Sequence, residues 1–268
     1  MQFEEWASKN LKDRYLSLID LLEEKNVADK CTVPFVPYRG SAYGDDKKPK
    51  ILVIGKATYG WGKGEKGQGS GALEDVLGRD DLWEYLSRLS EGFIEGQIIP
   101  FYGGEKGPYY RSLFWNRIYR LTGRCICGEP VSESGKYERE RQRSEKRFRS
   151  IAWSNVFKVG ALKSKRGNPN KQLIDIQKEK NTLEEEINVL KPDVAIFSTG
   201  RAYDKHIKDF LPIKSMKDPE GLDPKLKVKE IEGLGRLAFR TYHFQYYSNP
   251  DFKDVVDYIC DQMNGKVT

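Results

Sequence analysis

At 268 residues, with 38% hydrophobic, 12% aromatic and 32% charged side chains, the chain can bury a sizeable core and is too aromatic for a disordered polymer. Its formal charge of +6 permits a polyanionic partner without requiring one, and no apolar run approaches the ~20 residues that cross a bilayer. The opening residues, with Glu4, Glu5 and Trp6, lack the basic-then-apolar plan of an export signal, so a cytoplasmic protein with no membrane partner is expected.

Apolar residues at 3, 6, 11, 15, 18, 19 and 22 recur with a helical period and predict an amphipathic helix over about 3–24. Residues 31–49, with three prolines and the turn Asp45-Asp46-Lys47-Lys48, read as a connecting loop. Ile51-Leu52-Val53-Ile54 is apolar without alternation, which suits a central parallel strand covered on both faces. It stops at Gly55 and opens into a stretch with glycines at 60, 62, 64, 67, 69 and 71, a loop or lid. A helix is expected over 73–90, a loop over 97–104, and a second helix over about 112–122 that Gly123 terminates. The run 136–149 sets Lys136, Arg139, Arg141, Arg143, Lys146, Arg147 and Arg149 against three glutamates. It reads either as a solvated face with internal ion pairs or as a patch facing phosphates.

A second buried strand is expected over 151–157. Thr182-Leu183-Glu184-Glu185 has the form of a capping box for a helix ending at Leu190. Further strands are expected over 193–198, stopped by Thr199-Gly200, and over 236–243, with a helix over 201–210 between them. Ser248-Asn249-Pro250 caps a terminal helix whose Val255, Val256, Ile259 and Met263 face inward. Alternating strands and helices predict one α/β domain spanning 1–268: three α/β/α layers around a central, mostly parallel four-stranded sheet, with loop insertions at about 60–71 and 128–150. Cys31, Cys125, Cys127 and Cys260 form neither a zinc-ribbon pair nor a CxxC motif and are expected as reduced thiols. A cluster or zinc site would need Cys31 and Cys260 to converge on the other two. No metal and no cofactor are assigned.

Ligands of open parallel sheets sit at the strands' carboxyl ends. Here these ends carry Gly55-Lys56-Ala57-Thr58-Tyr59, Ser154-Asn155-Val156-Phe157-Lys158, Ser198-Thr199-Gly200 and Tyr242-His243-Phe244. Taken in order, and with Pro192-Asp193-Val194-Ala195-Ile196-Phe197-Ser198-Thr199-Gly200 as the third element, the set resembles the uracil-DNA glycosylase superfamily over roughly residues 50–260. The resemblance implies hydrolysis of the N-glycosidic bond of a damaged or modified base in DNA, single-stranded DNA included. By the same resemblance Ala57 and Thr58 lie in the water-activating loop, Asn155 reads the base edge beside Tyr59, and His243 stabilises charge on the departing base. Pro100-Phe101-Tyr102-Gly103 resembles the segment beneath the extruded base, which makes Phe101 a stacking platform. Lys56 and Lys158, at adjacent strand ends, form an anion-attracting mouth, to which Arg143 and Arg147 add phosphate contacts.

The departures from the pattern are specific. Ala57 stands where the most active branch has aspartate, Lys56 where others have glutamate, and Phe244-Gln245-Tyr246-Tyr247 replaces the Pro-Ser pair after the histidine. Each site residue also has a purely structural reading: Asn155 capping its loop, His243 hydrogen-bonded in the fold, Phe101 packed against its neighbours. Two alternatives stand beside the glycosylase. One keeps the fold as a non-catalytic nucleic-acid or nucleotide binder. The other is a small-molecule enzyme whose glycine loop encloses a phosphate, although that loop is neither Gly-x-Gly-x-x-Gly nor a P-loop.

Overall fold

The computed structural model describes residues 3–45, 48–56, 71–104, 112–131, 141–164 and 168–266. Its centre is β2 (Ile51–Gly55), whose five residues are all buried. Parallel neighbours lie on both sides: β3 (Ile151–Asn155), in register from Ile51–Ile151 to Gly55–Asn155, and β4 (Val194–Ser198). β7 (Leu237–Thr241) continues the parallel set beyond β4. These four were legible as apolar runs. Three more strands join antiparallel at the edges: β1 (Tyr38–Arg39) on β3, and β6 (Lys229–Glu232) with β5 (Ser215–Lys217) beyond β7. Among the described residues the sheet therefore has seven strands, not the expected four, in the order β1-β3-β2-β4-β7-β6-β5. The additions are two to four residues long and partly polar, so neither an apolar run nor a long alternation marks them.

Successive residues of the central strands face opposite ways and divide the core in two. Leu52, Ile54, Ala195 and Phe197 share one cluster with residues of α1 (Phe3–Glu24), α2 (Leu82–Phe93), α6 (Lys171–Lys180), α7 (Thr182–Leu190) and α8 (Asp204–Phe210). Ile51, Val53, Val194 and Ile196 share the other with α3 (Ile99–Tyr102), α4 (Leu113–Cys127), α5 (Arg141–Phe148) and α9 (Asn249–Lys266). Helices thus cover both faces of the sheet, giving three layers.

Several local expectations change. Residues 97–102 are helical: α2 passes through a π turn at Ile94–Ile98 into α3, and Pro100 falls in the first turn of α3, where its missing N–H is harmless. Gly123 does not end α4. Gly128 does, at φ 71, while Gly123 lies inside the helix because a side chain there would meet the Arg147 guanidinium at 2.8 Å. Asn181, at φ 41, stands before α7 and donates to Glu184 at 2.6 Å, so Thr182 is the first helical residue and not the cap. α6 has no counterpart in the sequence reading; Asn170 opens it by accepting from the Leu173 amide. The cysteines are not all reduced. Cys125 of α4 and Cys260 of α9 form a disulfide, while Cys31 and Cys127 are free. No helix among the described residues is long and apolar enough to cross a membrane.

Candidate functional site

The chain runs from β2 outward to β3 and then crosses back to β4 on the other side. The carboxyl ends of β2 and β4 therefore flank the point where strand order reverses, the usual ligand position in such sheets. Four parallel strands at about 4.8 Å spacing set their carboxyl ends in a row roughly 14 Å long.

At the β3 end, Asn155 is 4% exposed, and its side-chain amide makes no hydrogen bond to the described residues. It lies over the end of β2: a Cβ on Gly55 would come within 2.4 Å of Asn155 Oδ1. Glycine at 55 therefore leaves the space that this amide occupies. The loop is fixed by Val156 and Phe157, whose amides donate to the Gly55 and Lys56 carbonyls. An amide at this position offers one acceptor and two donor protons to a ligand or water with a matching edge.

The β4 and β7 ends are stitched together. Phe244 N donates to Ser198 Oγ at 2.9 Å, and Gly200 N donates to the Thr241 carbonyl at 3.0 Å. The Tyr247 hydroxyl accepts from Tyr242 N and donates to the Leu226 carbonyl. At this clamp two buried polar atoms, Thr199 Oγ1 and His243 Nδ1, have no partner among the described residues. The His243 ring stacks on Phe114 of α4, centroids 5.3 Å apart at 29°, and lies 5.6 Å from Tyr246. Burial, helped by the nearby Lys56 ammonium, pushes the imidazole pKa down to about 4, so the ring is neutral at physiological pH. Lys56 Nζ lies over the faces of Tyr246 and Tyr203, at 5.5 and 5.9 Å from their centroids.

Lys56, Asn155, Thr199 and His243 thus follow or end the strands β2, β3, β4 and β7, and Phe114 and Tyr246 lie beside the His243 ring. In the sequence Thr199 marks only a strand stop, and Phe114 only falls within the helix expected over 112–122. Their position here depends on strand order and helix docking, which no local pattern encodes. Ala57, Thr58 and Tyr59, like most of the glycine-rich stretch, lie outside the described residues.

Phe101 is buried in the core cluster of α3 and α4 and packs edge-on against Tyr102. Lys158 is not at the mouth. It is 1% exposed, and its three ammonium protons go to Ser154 Oγ at 2.6 Å, the Asn155 carbonyl at 2.5 Å and Glu186 of α7 at 2.6 Å. The other Glu186 oxygen takes the Tyr15 hydroxyl. Desolvation pushes the Glu186 pKa up and that of Lys158 down.

Arg147 also turns inward, against the expectation of a phosphate contact. It is 4% exposed, pairs with Glu129, donates to the Tyr119 carbonyl and lies 4.0 Å from that ring's centroid. Arg143 stands 3.8 Å from the same Glu129. Elsewhere in the run, Arg141 pairs with Glu145, and Arg149 with Glu95 and Glu145. Desolvated guanidinium groups need acceptors, and the glutamates here supply them; the described part of the basic run follows the ion-paired reading. No group of three or more His, Cys, Asp or Glu among the described residues could hold a metal ion.

No protein-family model matches the chain, and no curated protein matches it.

Proposed function

We propose that the strand ends bind a nucleobase and that the protein is a divergent uracil-DNA glycosylase-like hydrolase acting on a damaged or modified base in DNA. The observation that carries this reading is the placement of the Asn155 amide over the end of β2, where glycine at 55 leaves room for it. The amide's donor and acceptor match the donor–acceptor edge of a base, at strand ends where Phe114 and Tyr246 lie beside His243. A neutral imidazole is a hydrogen-bond donor, and with the Lys56 cation nearby it favours negative charge on the ligand. In the proposed reaction the C1′–N bond breaks with its electron pair leaving on the base, which is stabilised as an anion by His243. Water adds its oxygen to C1′, and its proton passes to the base anion, because Ala57 and Thr58 offer no carboxylate.

That missing carboxylate specifically favours a second reading, in which the same pocket holds the base without cleaving it. One assay separates the two. Oligonucleotides containing uracil, hypoxanthine, xanthine or an oxidised base are incubated with the protein, and abasic sites are revealed with alkali. Cleavage that falls at least ~10²-fold in His243→Ala and in Gly55→Ala supports hydrolysis, that factor being typical for loss of one charge-stabilising donor. In Gly55→Ala the new methyl group displaces the Asn155 amide. Base-dependent binding without cleavage supports the second reading. Neither binding nor cleavage by wild-type protein rejects both.

A further inference from the structure

A stripe of rings and ammonium groups leads away from the pocket. Lys227 Nζ lies 4.6 Å from the Tyr242 ring centroid, Tyr242 and Tyr246 are 5.3 Å apart at 40°, and Lys56 lies over Tyr246. Tyr246 is 56% exposed. It and Leu113, the neighbour of the His243-stacking Phe114, are the large hydrophobic side chains exposed among the described residues. Tyr246 lies 5.6 Å from the His243 ring. Lys227 is exposed and forms no ion pair with the described residues; its backbone is held by the Arg240 guanidinium donating to its carbonyl at 2.5 Å. The tyrosine backbones are fixed too, by the clamp through Tyr247 and by Tyr246 N donating to the His243 carbonyl.

Alternating aromatic faces and cations on a rigid turn are the recognition chemistry of unpaired nucleotides, whose bases offer free π faces and whose phosphates are regularly spaced. A duplex keeps both faces of its bases occupied by stacking. We propose that this stripe is a track for single-stranded polynucleotide: Tyr246 stacks on the base adjoining the one in the pocket, and Lys227 meets a backbone phosphate. The proposal rests on the nucleobase reading of the pocket and names the form of nucleic acid that the pocket accepts.

The test uses the full chain and fluorescein-labelled DNA of about 12 nucleotides, single-stranded and as duplex, with anisotropy followed across a range of salt concentrations. Wild-type protein is expected to prefer the single strand. Tyr246→Ala should weaken binding roughly tenfold, while Tyr246→Phe, which keeps the π face, binds like wild type. Lys227→Met should reduce the salt slope by about 0.7, the loss of one phosphate contact. Both side chains are exposed, so an unchanged melting temperature for each variant excludes unfolding as the cause. Preference for duplex, equal binding by Tyr246→Ala, or stronger binding of an acidic peptide such as polyglutamate overturns the track.

Asn155→Ala, measured in parallel for binding and for base release, separates the two proposals. If Tyr246→Ala weakens single-strand binding while Asn155→Ala changes nothing, the track stands and the pocket reading fails. If Asn155→Ala abolishes base-dependent binding while Lys227→Met leaves the salt slope and the single-strand preference unchanged, the track alone fails.

Discussion

His243 shows what a residue gains from its surroundings. Its ring is desolvated against Phe114 and held near Lys56, and both effects disfavour the imidazolium. Between about pH 4 and the ordinary 6.5, the unfolded chain binds a proton at this position and the folded chain does not. Stability therefore rises with pH through that window and the contribution is complete above it. The expected outcome is an imidazole NMR signal that does not titrate between pH 5.5 and 8, with His206→Gln used to assign the two histidines; a midpoint near 6.5 would mean that the ring is solvated. His243 and Asn155 could be named from the sequence because a polar residue after an apolar run marks a strand's carboxyl end. Lys158 carried the same signature, and the structure put it inside. The difference is Glu186, 28 residues away in sequence, which no local pattern could pair with it.

Among the elements, α7 is set in place by a polar network as well as by its apolar face. Glu186 links α7 to Tyr15 of α1 and to Ser154 of β3, and Lys158 reaches back from the same carboxylate to the Asn155 carbonyl. Replacing Lys158 by Met would leave a buried carboxylate without its cation, with an expected loss of about 3–5 kcal/mol in urea unfolding. Lys158→Met/Glu186→Gln should recover part of that loss, because the uncompensated charge is gone. A single variant as stable as wild type would show that the pair carries no such weight. α6 supports the same loop: Gln177 accepts from the amides of Lys158 and Val159 and donates to the Val159 carbonyl. A glutamine on a helix looks solvent-facing in sequence, and only the docking of α6 beneath the loop makes it a structural acceptor.

Across the whole molecule, α4 and α9 flank one face of the sheet, and the Cys125–Cys260 disulfide joins them across 135 residues. α4 also carries Phe114 against His243, and its Arg117 donates to Asn249 and to the Tyr247 carbonyl. The bond therefore braces the helix that carries Phe114 against His243. Denatured protein should show two reactive thiols without reductant, Cys31 and Cys127, and four after reduction. Cys260→Ser should lower unfolding stability by about 2–4 kcal/mol under non-reducing conditions, since an open chain this long has more conformational entropy to lose. Four thiols without reductant would restore the reduced state that cysteine spacing suggested.

The sequence by itself determined the four central strands, the terminal helices and the strand-end positions of Gly55, Asn155 and His243. Each is written in a local run: four or five apolar residues, a helical period, or the polar residue that stops a strand. Only the tertiary structure decided the antiparallel edge strands, the burial of Lys158 and Arg147, the disulfide, and the meeting of Phe114 and Tyr246 around one histidine. Those outcomes depend on which distant groups supply an acceptor, a counter-charge or a ring face, and that information lies in the packing of elements against one another.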